Sequence, residues 1–169
     1  LQKNNMQNQR NLAFIDIFEP IYDIYQKNLH SQKAIDFDDM ITQSTEALRL
    51  KKYSSSFDYI IIDEFQDISY GRFKMVDQVR KQNPNSKLFC VGDDWQAIYR
   101  FAGGDVSILY DFNDYFGRYT KKLRLTRTFR LPQEVANISD QFIKNNPSQS
   151  DKKIQSNKEI PGSVVFSST

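Results

Sequence analysis

Apolar residues recur at spacings of three and four through the first third of the chain, which is the periodicity of an amphipathic α-helix. This pattern predicts helical structure for most of residues 12–50. Pro20 lies inside the pattern, so we expect the helix to restart or kink there. Asp36 precedes an acidic turn and a second apolar run, which predicts that a new helix begins at that residue.

Two short apolar runs, residues 57–62 and 87–91, have the continuous apolar character of strands buried on both faces of a parallel sheet. Helical spacing over residues 70–81 lies between them. Strand, helix and strand in this order form a βαβ unit, and the sequence therefore predicts an α/β core preceded by a helical segment.

The last part of the chain alternates between periodic and polar segments. Residues 133–144 have helical spacing, and residues 145–159 are polar and typical of a linker or surface loop. Residues 163–166 are apolar and predict a final strand.

Composition indicates an ordered protein, with 39% hydrophobic and 26% charged residues. We expect a cytoplasmic location without membrane association, because no apolar run approaches bilayer length and a single cysteine, Cys90, excludes an internal disulfide. The net charge of +2 is too small to indicate nucleic acid. Six basic residues and no acidic one lie within residues 118–130, but such a run is more often a solvated surface.

Two adjacent carboxylates, Asp63 and Glu64, follow the first predicted strand. Ligands of open α/β sheets bind beyond the carboxyl ends of the strands. Enzymes of phosphoryl transfer need one acid there to hold Mg²⁺ and a second to orient or deprotonate the attacking water. Because acid pairs are also common in ordinary loops, the pair alone favours no single interpretation.

The neighbours of the acid pair narrow the choice. Residues 63–67 read Asp-Glu-Phe-Gln-Asp, which resembles motif II of superfamily-one helicases of the UvrD/Rep type. Three other segments resemble the same family in the same order. They are residues 35–40, where an inserted 1B domain rejoins the 1A core, residues 91–103, similar to motif III, and residues 125–130, similar to motif IV.

This resemblance implies a role for each matching residue. Asp63 would bind Mg²⁺ and Glu64 would act on the water that attacks the γ-phosphate of ATP. Gln96 would sense the γ-phosphate, for which an amide is suited because it both donates and accepts hydrogen bonds. Arg130 would stabilise the transition state, and Phe129 stands where the family usually has a tyrosine stacked on adenine.

The loop after Gln96 places Tyr99 and Phe101 on either side of Arg100. Aromatic rings interleaved with a cation suit single-stranded DNA, because every base offers a face for stacking. Core packing is the alternative explanation for these rings. The resemblance favours DNA, with single strands and duplex junctions as the expected partners, and Ala102 replaces an arginine common in the family.

The family's ATP site also needs a P-loop that ends in lysine, and none of the six glycines here is followed by lysine. We therefore expect an internal fragment of a longer helicase, inactive by itself, with part of a RecA-like parallel sheet. Its expected divisions are the end of a 1B insertion (1–34), part of the 1A core (35–132), and the helix, linker and first strand of a 2A domain (133–169).

The resemblance implies an ATP-dependent DNA helicase that translocates on single-stranded DNA with 3′ to 5′ polarity and unwinds duplexes. Two alternatives stay open. One is the motor segment of a helicase–nuclease subunit, and the other is a non-catalytic module that binds DNA or a protein. The absent P-loop favours the module, whereas Asp63, Glu64, Gln96 and Arg130 together favour a motor.

Overall fold

A computed structural model describes residues 2–117, 119–146 and 149–158, with the side chains of residues 2–7 left out of the description. The chain divides into two compact units, Leu1–Ser54 and Ser55–Thr169. The predicted strand at residues 163–166 lies outside the described residues.

The first unit contains two helices, α1 (Gln2–Ser31) and α2 (Phe37–Arg49). Helix α1 is continuous through Pro20, so the restart considered for that residue does not occur, and a kink there stays a prediction. A proline removes its own amide donor from the helix and its ring crowds the carbonyl four residues earlier, but this 30-residue helix has hydrogen bonds on either side of that position.

Helix α2 begins where its sequence predicts. Asp36 Oδ1 accepts from Asp39 N at 2.7 Å and Asp39 Oδ2 accepts from Asp36 N at 3.4 Å, which completes a capping box. Tyr25 of α1 donates its hydroxyl to Asp36 Oδ2 at 3.0 Å. The hydrogen bonds from the Asp39 amide and the Tyr25 hydroxyl lower the pKa of Asp36.

The second unit contains the predicted βαβ unit. Strands β1 (Tyr59–Ile62) and β2 (Lys87–Cys90) pair in parallel, and helix α3 (Tyr70–Gln82) connects them. Strand β1 begins two residues later than predicted because Phe57 N donates to the Asn83 side chain at 2.8 Å instead of to a neighbouring strand.

Only one face of this two-stranded sheet is covered, which corrects the prediction of strands buried on both faces. Ile61 and Phe89 are 71% and 58% exposed, whereas Ile62 and Leu88 pack against the core. Within the described part of the second unit, no element covers the face that carries Ile61 and Phe89.

The core forms where the sheet meets two short helices, α4 (Ser107–Tyr110) and α5 (Phe112–Phe116). Phe65 and Ile108 are fully buried, and the Phe65 ring lies 5.6 Å from Phe112 and 5.8 Å from Phe116, centre to centre. Cys90 packs against this core, and burial raises the pKa of its thiol to about 12. This agrees with a structural role for Cys90.

The polar segment predicted to be a linker or surface loop has little regular structure in its described part, apart from one two-residue strand. Strand β3 (Arg127–Thr128) pairs in parallel with β4 (Gln155–Ser156), and helix α6 (Gln133–Lys144), as predicted, lies between them in sequence. Gln133 accepts from Ser156 N at 2.7 Å through Oε1, which holds the segment against the start of α6. None of the helices described here combines the length and apolar character required to cross a bilayer.

Candidate functional site

The predicted acid pair lies at the carboxyl end of β1, and both side chains are exposed. Asp63 Oδ1 accepts from Glu64 N at 2.9 Å. Glu64 has a φ of 48° and a ψ of 43°, the left-handed conformation that residues other than glycine seldom adopt. This turn directs Phe65 into the core, where its amide donates to Val91 O at 2.8 Å.

Gln66 joins the ends of the two strands. It is 2% exposed, and its Nε2 donates to Glu64 Oε2 at 2.7 Å while its Oε1 accepts from Asp93 N at 2.9 Å. An amide can serve both partners because one end donates and the other accepts. Gln66 therefore connects the acid pair after β1 to the loop after β2.

Gly92 permits this close approach. A Cβ atom at this position would lie 2.9 Å from both Gln66 N and Gln66 Oε1, closer than such atoms approach in folded proteins. The loop after β2 therefore passes directly over the Gln66 side chain only because residue 92 has no side chain.

Gln96 belongs to the same network. The side-chain Nε2 of Gln96 donates to Asp93 Oδ2 at 2.8 Å, and its main-chain N donates to Asp93 O at 2.9 Å. A continuous series of hydrogen bonds thus runs from Glu64 through Gln66 and Asp93 to Gln96. Two of the predicted site residues, Glu64 and Gln96, are brought together in this way.

Lys152, from the segment predicted to be a linker or surface loop, lies beside this network. Its Nζ forms ion pairs with Asp93 and Asp94 and lies 5.0 Å from the centre of the Trp95 ring. Trp95 Nε1 also donates to Ser150 O at 3.0 Å. The chain around residues 150–152 is therefore attached to the loop after β2 by charge, by a cation–π contact and by a hydrogen bond.

Both aspartates of this loop ionise more readily than usual. Burial opposes the ionisation of Asp94, but hydrogen bonds from Lys152, Ser150 and Tyr110 outweigh it and lower its pKa. Burial likewise opposes ionisation of Asp93, and hydrogen bonds from Gln96 and Lys152 again lower the pKa. The Tyr110 hydroxyl donates to Asp94 Oδ2 at 2.9 Å, and burial together with this bond raises the pKa of Tyr110 to about 12.

The predicted DNA-binding residues lie together on one short turn, Arg100–Ala102 and the residue before it. Phe101 is 86% exposed and Tyr99 is 48% exposed, with ring centres 5.9 Å apart. Arg100 is exposed as well. Such exposure is inconsistent with core packing, the alternative considered for these rings, and leaves their faces accessible to a ligand.

Phe129 and Arg130 follow β3 and are also exposed. The main chain of Arg130 donates to Thr128 Oγ1 at 3.2 Å and accepts from Lys158 Nζ at 3.4 Å. Among the described residues, no hydrogen bond or ion pair joins the Arg130 side chain to the acid pair. The structure therefore brings Glu64 and Gln96 into one network but leaves Phe129 and Arg130 outside it.

The donor set at the acid pair fits a hydrated Mg²⁺ that is shared with phosphate. Such an ion takes one or two protein carboxylates and completes its octahedron with water and phosphate oxygens. Asp63 offers an exposed carboxylate, of which only Oδ1 is engaged, by the Glu64 amide. Within the described residues no group of three or more His, Cys, Asp or Glu side chains could form an all-protein metal site.

A comparison with known families decides the relationship. Residues 1–117 match the UvrD/REP helicase N-terminal domain. The chain belongs to the UvrD/Rep helicase family. The matched residues include the acid pair and the loop after β2.

Two relatives place this UvrD/Rep chain more closely. It is 36% identical over 142 residues to DNA helicase IV of Escherichia coli, covering 84% of the chain and 21% of the relative. It is 29% identical over 143 residues to the ATP-dependent DNA helicase PcrA of Bacillus subtilis, covering 82% and 19%. The residues around Trp95 and the Phe-Ala-Gly run at 101–103 predicted a resemblance to DNA helicase IV in particular, and the similarity to that relative agrees with the prediction. The chain spans about a fifth of the length of these relatives.

Three residues that organise this part of the UvrD/Rep domain received no role from sequence. Gln66 and Asp93 lie inside the two segments that resemble motifs II and III. Their polar side chains, close in sequence to the predicted site residues, were the signal that could have identified them. Lys152 had no signal, because it is one of several lysines in a polar stretch and its partners are more than fifty residues away in sequence.

Proposed function

We propose that this chain contributes part of the ATPase centre of an ATP-dependent DNA helicase. The parent protein couples ATP hydrolysis to 3′ to 5′ translocation on single-stranded DNA and to the unwinding of duplexes. The observation that supports this most directly is the hydrogen-bonded series from Glu64 through Gln66 and Asp93 to Gln96. The names of two relatives, DNA helicase IV and ATP-dependent DNA helicase PcrA, agree with it.

In this proposal each exposed group has a separate task. Glu64 orients and deprotonates the water that attacks the γ-phosphate, and Asp63 holds Mg²⁺. Gln96 contacts the γ-phosphate and passes its presence to the loop that follows. Arg130 supplies a fixed positive charge to the transferring phosphoryl group, and Phe129 stacks on adenine. Mg²⁺ neutralises developing phosphate charge when it is bound.

The proposed DNA contact lies on the loop directly after Gln96. Tyr99 and Phe101 offer exposed rings for stacking on bases, and Arg100 offers a charge for the phosphate backbone. Gln96 and Tyr99 are only three residues apart. A change at the phosphate therefore has a short covalent route to the DNA contact, which suits an enzyme that couples the two.

The domain divisions proposed from sequence, 1–34, 35–132 and 133–169, follow the same family pattern. Because the 169 residues contain no lysine-ended P-loop, we propose that this chain alone does not hydrolyse ATP. A DNA-stimulated release of phosphate by the isolated 169-residue chain would contradict this part of the proposal.

The central test is Glu64→Gln in the complete parent protein. The amide keeps the shape of the side chain but cannot take a proton, so we expect steady-state ATP hydrolysis to be lost while binding of a fluorescent ATP analogue is retained. Glu19→Gln, at an exposed position of α1, is the matched control and is expected to leave turnover unchanged. Turnover that survives Glu64→Gln would exclude Glu64 as the base.

The DNA assignment is tested by fluorescence anisotropy with labelled single-stranded DNA. Phe101→Ala in the parent is expected to weaken binding by roughly tenfold, since one stacked base contributes about 1–3 kcal/mol. Phe142→Ala removes a comparably exposed phenyl ring on α6 and serves as the control. Equal affinities of the two variants would refute a stacking role for Phe101.

A further inference from the structure

Lys152 lies where two neighbouring carboxylates converge. Its Nζ forms an ion pair with Asp93 Oδ1 and another with Asp94 Oδ1. Asp94 is 5% exposed, so its charge has little access to water. Among the described residues, Lys152 is the one cation in ion-pair contact with either aspartate.

The two carboxylate oxygens of Asp93 have different partners. Oδ1 accepts from Lys152 and from Trp95 N, whereas Oδ2 accepts from Gln96 Nε2 at 2.8 Å. The rotation of this carboxylate therefore determines the direction in which the Gln96 amide points. Lys152 and the Trp95 amide hold the opposite oxygen and so fix the rotation, and of the two only Lys152 carries a charge.

We propose that Lys152 is a positioning residue for Gln96, which it orients through the carboxylate of Asp93. The inference rests on the proposed function in so far as Gln96 reads a γ-phosphate. The geometric part, that Lys152 orients Gln96, stands on the contacts alone. It also gives the polar segment 149–158 a part in the phosphate site, although that segment comes more than fifty residues later in sequence than the loop it supports.

Loss of the Lys152 charge has a definite consequence in this geometry. Two adjacent carboxylates, one of them buried, would repel each other without a shared cation. Asp93 can relieve the repulsion by rotating towards solvent, because its side chain is 41% exposed, whereas Asp94 is held by the Tyr110 hydroxyl. Rotation of Asp93 breaks its bond to Gln96 and leaves that amide unoriented.

The geometric part is tested in the 169-residue chain by ¹H–¹⁵N NMR. Trp95 is the only tryptophan, so its indole signal reports on contact with the segment that carries Lys152, and the side-chain amide signals of Gln96 report on its orientation. Lys152→Met should shift both sets of signals, and Lys152→Arg should return them towards wild type. Lys153→Met, at the exposed neighbouring lysine, should shift neither.

Three results would overturn the inference. If Lys152→Met shifts the indole signal but not the Gln96 amide signals, Lys152 only attaches the segment. If neither signal moves, the contact does not exist in solution. If Lys153→Met has the same effect as Lys152→Met, the effect is one of general charge. Should Lys152→Met fail to fold, Lys152→Gln, which removes the charge but keeps a polar side chain, is measured instead and is expected to shift both sets of signals in the same way.

The functional part is tested in the parent by a double-mutant cycle. Lys152→Met should lower kcat for ATP hydrolysis about tenfold with KM for ATP changed less than about twofold, and Lys152→Arg should recover most of the rate. In a Gln96→Ala background, Lys152→Met should have no further effect, because its target is gone. Independent losses that multiply would refute positioning through Gln96. A parent without ATPase activity would refute the proposed function, and the NMR result would still decide the geometric part.

Discussion

Replacing Gln66 with methionine removes both hydrogen bonds that join the ends of β1 and β2 while keeping a side chain of similar length. Asp93 N then loses its acceptor, and Glu64 loses the donor at 2.7 Å. The two losses differ in size. Glu64 is exposed and regains water, whereas the Asp93 amide lies under the Gln66 side chain.

The expected destabilisation follows from this difference. A partly buried amide left without an acceptor costs about 1–3 kcal/mol, and the exposed carboxylate adds little to that. The buried methionine recovers part of the loss through its apolar surface. We therefore expect Gln66→Met to lower the free energy of unfolding of the 169-residue chain by about 2 kcal/mol.

Urea denaturation followed by circular dichroism measures this change. With a slope of about 1–3 kcal/mol per molar urea for small proteins, the midpoint should fall by roughly 1 M at an unchanged slope. Gln141→Met makes the same chemical change at an exposed position of α6 and should leave the midpoint within experimental error. Coincident curves for Gln66→Met and wild type would show that the bonds between the strand ends contribute nothing to stability.

Gln66→Glu provides a second measurement, because the stability of this variant should fall as the pH rises. A glutamate at this buried position must be protonated to donate to Glu64, so its pKa would be raised in the folded state. A raised folded-state pKa means that stability is present at low pH and is lost as pH rises through that pKa. The deficit of Gln66→Glu relative to wild type should therefore be larger at pH 7 than at pH 4.5.

Three further changes test the core and the loop after β2. Phe65→Ala empties a fully buried site and should cost about 3–5 kcal/mol in the same urea assay. Gly92→Ala places a Cβ 2.9 Å from Gln66 N and should cost about 1–3 kcal/mol, with loss of the Asp93–Gln66 hydrogen bond as seen by amide exchange. The lowered pKa values of Asp93 and Asp94 mean that their contribution to stability is present above about pH 4 and is lost as the pH falls below it, so urea midpoints at pH 5, 4 and 3 should decline.

Each of these changes has its own comparison. Phe142→Ala removes an exposed ring and should change stability by no more than about 0.5 kcal/mol, so a similar loss for both phenylalanines would contradict the described core. Gly71→Ala, on an exposed position of α3, should be neutral or stabilising. Asp94→Asn should flatten the decline in acid, and an identical decline in that variant would mean that other groups cause it.

Local patterns predicted the elements that have strong local causes. The β-branched run before Asp63 and the spacing over residues 133–144 correctly located β1 and α6, and Asp36 correctly marked the start of α2. Pro20 predicted that the helix would restart or kink, but α1 is continuous through it. A long helix tolerates one proline because its hydrogen bonds on either side of that residue remain.

The features that escaped prediction depend on contacts between distant residues. Strands β3 and β4 have two residues each and no periodicity, and they form because Thr126 O and Thr128 O accept from amides nearly thirty residues later. The sequence around Lys152 does not distinguish it from a solvated lysine, and only the fold places it between two carboxylates. The acid pair could be located from sequence because the strand and the carboxylates are adjacent in the chain.

The left-handed conformation of Glu64 has a backbone cost that one hydrogen bond offsets. A residue with a Cβ costs about 1 kcal/mol or more there, and glycine would avoid that cost. Glycine would also remove the carboxylate that accepts from the buried Gln66 Nε2 at 2.7 Å, at a cost of about 1–3 kcal/mol, so a library selected only for resistance to heat or proteolysis should not enrich Glu64→Gly. An engineer who stabilises this domain should hold residue 64 constant and seek the gain elsewhere.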